Sequence, residues 1–224
     1  MRLDRSARTG ARSLLGVATA TVLALGAAAC SGNGSGPAMG QASASMQDNP
    51  QSSSPDVTAS GQHALAAVSG SGSFSGTLTG EAKAEIQTSS GTWVDLGSLS
   101  QASLGLQDAS GQVVVNQATT VDAGTYVAVR LVLSNVHAHL DAGSTFGSSS
   151  LSSSTDVTVG GSDGTVTITK QIQVNVDQGA TTRVVFDLNT EAWFDSTNVQ
   201  NQMVADSRVQ SAVQAASQST LSAG

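Results

Sequence analysis

Residues 126–133 limit this chain's folding choices more than any other segment. Val127, Val129, Leu131 and Leu133 alternate with Ala128, Arg130 and Val132, the period-two pattern of a β-strand. The second face is partly apolar as well, which predicts a central strand covered on both sides. Shorter alternating runs, rich in Val, Thr and Ser and broken by Gly and Asp, recur from Gly61 onward. Strands of this length between regular turn signals predict an all-β, antiparallel sandwich.

Several strands follow from the same pattern. Weak candidates fall at 63–69 and 73–79. Across 82–88, Ala82, Ala84 and Ile86 share one face and Lys83 and Glu85 the other. Ser89-Ser90-Gly91 then turns the chain into Trp93-Val94-Asp95-Leu96, with Gly where a left-handed residue is needed. Segments 103–106 and 112–115 flank another turn. After Ser134-Asn135 the apolar phase moves to Val136, Ala138 and Leu140, which a β-bulge or a tight turn produces. Segment 143–155 reads as a loop. Val157-Val159 alternation and 165–169 read as a hairpin around Gly160-Gly161-Ser162-Asp163-Gly164. Ile172, Val174 and Val176 give the next buried face, and 182–188 the last strand.

The N-terminus carries an address. Arg2, Arg5, Arg8 and Arg12 stand against one acid, Asp4, before an apolar stretch at 14–29. That stretch is too short and too rich in Ala, Thr and Gly to span a bilayer, which takes about 20 strongly apolar residues. A basic start, a short apolar core and small residues at its end make a secretory signal. Its last residues, Leu25-Gly26-Ala27-Ala28-Ala29, precede the only cysteine, Cys30. This resembles the bacterial lipobox, which implies a lipid on the Cys30 sulfur and cleavage just before it. Ala27 stands where the usual Leu would be, and Ala27-Ala28-Ala29 also fits ordinary cleavage, which would leave a secreted domain with a free Cys30. Residues 30–61 are nearly all Ser, Gly, Ala, Gln, Asn and Pro, a composition expected of a disordered linker.

Charge narrows the partners. The chain has nine basic and sixteen acidic residues, for a net charge of -7. Losing the signal removes four Arg and one Asp, which leaves -10. Such a surface repels phosphate backbones and anionic lipid. Aromatics make up 3% of residues, too few to suggest stacking platforms for single strands or an aromatic shelf for sugars. With one cysteine no intrachain disulfide forms, so the fold depends on its core and ladders.

Chemical candidates are few. His137, His139 and Asp141 share a strand face at i, i+2 and i+4. Two imidazoles and a carboxylate suit Zn²⁺ or Cu²⁺, and the alternative is the solvent face of an edge strand. Asp187-Leu188-Asn189-Thr190-Glu191 resembles the start of a calcium loop. The Gly and Glu that an EF-hand needs at its sixth and twelfth positions are Ala192 and Asn198 here, so a polar turn is expected. Gly160-Gly161-Ser162-Asp163-Gly164 matches G-x-S-x-G, but a nucleophile elbow needs a strand-to-helix turn and a later His. All three histidines precede Ser162. Arg130, the one basic residue of its strand, is expected in a structural ion pair or as an interior-facing, hydrogen-bonded Arg, with binding of a carboxylate ligand as the alternative.

The run Asp122-Ala123-Gly124-Thr125-Tyr126-Val127-Ala128-Val129-Arg130-Leu131 resembles a family of bacterial extracytoplasmic lipoprotein domains of unknown function. Trp93-Val94-Asp95-Leu96 and Val184-Val185-Phe186-Asp187 match two further features of it. The resemblance covers roughly residues 74–193. It implies an Ig-like or transthyretin-like sandwich with Gly124, Tyr126, Arg130, Trp93 and Asp187 as structural marks, and it implies no reaction.

The expected organisation is a signal at 1–29, a linker at 30–61, a β-sandwich at 62–197 and a polar tail at 198–224. The tail is expected to be disordered or briefly helical, with Val209 and Val213 on one helical face. The expected function is a lipid-anchored, extracytoplasmic envelope module without enzymatic activity or cofactor. Its partners would be the membrane, through Cys30, and an envelope protein or a glycan; nucleic acid is not expected. The alternative is a metal-binding lipoprotein using His137 and His139.

Overall fold

The computed structural model describes residues 37–48, 72–108 and 111–221. The signal segment, Cys30 and the strand expected at 63–69 lie outside them. In chain order the elements are β1 (Met39–Gln47), β2 (Gly72–Ser73), β3 (Gly76–Thr88), β4 (Trp93–Gly105) and β5 (Gln112–Asp122). Then come β6 (Gly124–Leu140), β7 (Thr145–Phe146), β8 (Ser149–Ser150), β9 (Thr155–Val159), β10 (Val166–Lys170), β11 (Val174–Val176) and β12 (Ala180–Asp187). The chain closes with α1 (Ser196–Gln200), β13 (Met203–Val204), α2 (Asp206–Ala212) and β14 (Gln214–Leu221).

The expected all-β sandwich is the fold observed. One large sheet runs β14-β12-β1-β5, the other runs β13-β9-β6-β3-β4 with β10 and β11 also on β6, and a small third sheet runs β2-β7-β8. Ala42, Ala44, Val121 and Phe186 from the first sheet share one apolar core with Ala84, Ile86, Leu96 and Leu131 from the second. Two pairings, β1 with β12 and β13 with β9, are parallel, so the sheets are not purely antiparallel.

β1 corrects the linker expectation. Met39–Gln47 lies between β12 and β5, in the middle of its sheet. Ala42, Ala44 and Met46 are at most 2% exposed. They alternate with Gln41, Ser43 and Ser45, a period-two pattern written in small residues. Smallness is required here: a Cβ on Gly40 would sit 2.5 Å from Val176 Cγ1 and 2.6 Å from the Asp177 carbonyl oxygen. Opposite Ala44 the β1–β5 register shifts, and the Asn116 side-chain oxygen accepts the Ala44 N–H at 2.7 Å.

β6 is the central strand its sequence predicts, with two deviations. Between the pairs Thr79–His137 and Glu81–Ser134, β6 carries one extra residue. Asn135 takes φ 53° there, as Asn tolerates, so the phase shift is a bulge. A second irregularity, opposite Gln87 and Thr88, turns Val127 outward to 39% exposure; the alternation placed it inside. The expected hairpin of β9 and β10 does not form. Both strands pair with β6, β9 along 137–140 and β10 along 129–133. The glycine-rich turn between them is an excursion opposite the Asn135 bulge, where Gly164 accepts the Val136 N–H at 3.2 Å.

The tail also departs from expectation. Val209 and Val213 are both fully buried, as their spacing suggested, but the chain leaves α2 at Val213 and pairs β14 along all of β12. Low-complexity composition hid an eight-residue strand. Asp195 caps α1, accepting the Asn198 N–H at 2.8 Å, and meets Arg208 Nη1 at 2.6 Å. Burial alone would raise its pKa; the Asn198 N–H and the Arg208 charge outweigh that and hold it below the usual carboxylate value. A depressed carboxyl contributes stability above its unfolded pKa, about 3.9, and loses it as pH falls through the folded value. Asp195→Ala is therefore expected to cost about 1 kcal/mol at neutral pH. In denaturant melts that difference should vanish at strongly acidic pH; a constant difference would mean a role other than the charged cap.

Candidate functional site: an uncharged groove over an aromatic floor

The loop at 141–155 is a pinned structure. Gly143 N–H donates to the Leu151 carbonyl at 2.9 Å and Leu151 N–H to the Ser144 carbonyl at 2.8 Å. Within it β7 and β8 pair as a small hairpin, turned by Gly147 at φ 63°. Facing it is the α1–β13 turn. Gln202 adopts φ 53°, and its carbonyl accepts the Thr158 N–H at 3.0 Å, which ties this turn to β9.

Between loop and turn lies a cavity of about 310 Å³. Ser149, Ser150, Ser152, Ser153 and Thr155 line it from the loop side. Ser196, Gln200 and Gln202 line it from the other, and Phe146, Leu151 and Val199 supply apolar surface. Among the described residues, none that lines it is ionisable. Beneath it, Phe146 stacks on Phe74 with ring centroids 5.4 Å apart. Phe194 meets Phe74 edge-on at 5.3 Å, and Trp193 lies 6.3 Å from Phe194. Four of the chain's seven aromatic residues thus form one cluster that reaches the cavity through Phe146.

A buried carboxylate fastens this floor. Asp48, 1% exposed, accepts the Gln107 N–H at 2.6 Å and the Thr190 N–H at 2.9 Å. It also accepts the Thr190 hydroxyl. The Gln107 side chain in turn accepts the Phe74 N–H at 3.2 Å. The segment resembling a calcium loop is therefore an internal clasp, with Asp187 and Thr190 fully buried and Asn189 at φ 51°. Asp48 stood inside the expected linker; only the apolar alternation just before it hinted at its burial.

A scan of family models finds no match, and no significant match is found among curated proteins or solved structures. Chemistry must then be read from the side chains themselves.

His137 and His139 do share an exposed face, but on a central strand, flanked by β3 and β9, rather than an edge. His139 Nδ1 lies 2.7 Å from Asp156 Oδ1, across the ladder, and its Nε2 lies 4.0 Å from Asp141. Among the described residues, no group of three or more His, Cys, Asp or Glu is placed to hold a metal ion. Ser162 sits in a 3-10 turn between β9 and β10, not at a strand-to-helix turn.

Of the roles expected of Arg130, the structure shows the ion pair. Its guanidinium meets the 7%-exposed Glu85 at 2.5 Å and lies 4.1 Å over the Trp93 ring, an additional cation–π contact. Lys83 bridges Asp95 at 3.0 Å and Glu85 at 3.2 Å; hydrogen bonds to Asp95 and then Glu85 raise its pKa. Gly124 opens β6, and Tyr126, 3% exposed, donates its hydroxyl to the Asp122 carbonyl at 2.8 Å. Burial, then the Asp122 charge, raises its pKa. Tyr126→Phe should cost about 1 kcal/mol in denaturant melts; an unchanged midpoint would mean the hydroxyl is dispensable.

Proposed function

We propose that this chain is a lipid-anchored, non-catalytic binding module of the bacterial cell envelope, tethered through Cys30. The observation that carries the reading is the placement of Cys30 after a basic start, a short apolar core and Ala27-Ala28-Ala29. The folded part adds a constraint. With β1 beginning at Met39, only residues 31–38 separate Cys30 from the sheet. Eight residues reach at most about 28 Å, so the tether holds the sandwich near the membrane surface. Among the described residues, no helix is long and apolar enough to cross a membrane.

Binding is favoured over catalysis by the character of the concave surfaces. Besides the Ser-rich groove, a cavity of about 480 Å³ lies over Thr79, Ser100, Gln101 and Asn135. Glu81 is the one ionisable side chain lining either, whereas proton-transfer chemistry calls for convergent titratable groups. Intact mass of the N-terminal peptide from the native host tests the anchor. A diacylglyceryl adduct on Cys30 is expected, and Cys30→Ser should move the protein from the membrane to the soluble fraction. An unmodified Cys30 would overturn the tether and leave a secreted domain with a free thiol.

A further inference from the structure

Several hydroxyl side chains elsewhere in this fold are committed to intramolecular bonds. Thr119 donates to the Leu96 carbonyl at 2.7 Å, Thr145 to Ser73 at 3.1 Å and Thr182 to Asn175 at 2.8 Å. What marks the groove is that its free polar side chains converge on one concavity. None of its five loop hydroxyls makes a side-chain hydrogen bond to a described residue, and neither do the side chains of Ser196, Gln200 and Gln202. Eight neutral groups from two segments some forty residues apart thus present unused donors and acceptors to one concavity. Below them lies apolar surface from Phe146, Leu151 and Val199.

We infer that this groove binds a neutral saccharide. A sugar ring matches each property of the site. Its hydroxyls are donors and acceptors at once, as Ser, Thr and Gln side chains are. Its axial C–H face covers apolar carbon. It carries no charge, and a site without a cation gives a phosphate, sulfate or uronate nothing to pair with, in a protein whose net charge is -7. The volume of about 310 Å³ lies at the small end of ligand pockets, about 300–1,000 Å³, room for one or two rings. An acyl chain or apolar peptide would strand the eight polar groups without water or partner. Scarce aromatics argued against a sugar shelf, but Phe146 sits on the Phe74–Phe194 cluster, where a fixed floor costs no ordering when ligand binds. The inference rests on the reading of this domain as a binding module and names its ligand class.

The test is a solution NMR titration of the isotopically labelled full chain in detergent. The probes are N,N′-diacetylchitobiose, maltose, cellobiose and mannobiose, with a uronic-acid disaccharide as the charged comparison. At least one neutral disaccharide at millimolar concentration should shift resonances confined to 146–155 and 196–202. The double variant Ser152→Ala, Gln200→Ala should weaken that binding about tenfold or more through two lost hydrogen bonds, while retaining a dispersed spectrum. Gln101→Ala, in the other cavity, should leave it unchanged. The inference is overturned if no neutral disaccharide shifts the groove, if the shifts lie elsewhere, if the double variant binds as before, or if the uronate binds equally well. Cleavage of a bound probe would end the non-catalytic reading and leave the saccharide site standing. An unmodified Cys30 would end the tether alone.

Discussion

A chain that starts at Asn49 is expected to lose its cooperative fold, whereas one that starts at Pro37 keeps it. The two differ by β1 and its flanks. β1 is the strand between β12 and β5, so its removal strips the ladder from two neighbours at once. Arg183, Val184, Val185 and Phe186 lose their parallel partners, and Val113, Val114 and Asn116 lose their antiparallel ones. The buried Ala42, Ala44 and Met46 leave a trough in the core. A buried Met alone is worth about 2–5 kcal/mol, and a domain's whole stability is about 5–15 kcal/mol. The truncation should therefore exceed the available margin. Thermal melts followed by circular dichroism should show a sigmoidal transition for the longer chain and none for the shorter. Ala44→Asp in the full chain makes the same point locally, since it buries a carboxylate where a methyl fits; a loss above about 4 kcal/mol is expected. A shorter chain that still melted cooperatively would return β1 to the status of a spacer.

That contrast shows where the sequence was readable. Segments built from Val, Leu and Ile declared themselves: Val129, Leu131, Leu133, Val136 and Leu140 face the core, and the bulge at Asn135 was visible as a phase shift. Segments built from Ala, Gly, Ser and Gln did not. β14 pairs with β12 along its whole length and β1 does so from Gln41 to Gln47, yet their composition is that of a linker. Propensity measures what a residue prefers alone; here close approach between the sheets decides, and it favours residues too small to announce themselves. The β9–β10 segment failed for another reason. Two strands flanking a glycine turn fit a hairpin, but β6 offers one long edge that both can share, and register along that edge is a nonlocal fact. The groove was invisible because serines in a loop carry the same signal whether or not their hydroxyls find partners. Only their convergence with Ser196, Gln200 and Gln202, across the cavity, separates a site from a solvated loop.

Asp48→Ala is expected to be among the most damaging single substitutions, at about 3–5 kcal/mol. The carboxylate is 1% exposed and takes three donors: the Gln107 N–H, the Thr190 N–H and the Thr190 hydroxyl. Alanine leaves all three facing a void. A buried donor without a partner costs about 1–3 kcal/mol, and two of these are backbone groups that cannot rotate away. The donors belong to distant elements, the β4–β5 connection and the turn after β12, so the carboxylate joins the two sheets at one end of the sandwich. Asp48→Asn should fall between wild type and alanine, because its amide keeps one accepting oxygen but turns two hydrogens toward donors. Thr190→Val removes one of the three donors, and its cost should be largely absorbed in the Asp48→Ala background, giving a nonadditive cycle. A domain of this size shifts in melting temperature by about 2–4 °C per kcal/mol, so the alanine variant should melt roughly 6–20 °C lower. The clasp also reaches the groove: Gln107 fixes Phe74, Phe74 stacks on Phe146, and Phe146 lines the cavity. Saccharide binding should therefore weaken in Asp48→Ala at temperatures where the variant is still folded, although Asp48 touches no part of the groove. A variant that melted within a degree of wild type would mean that the two sheets are held at this end by apolar packing alone.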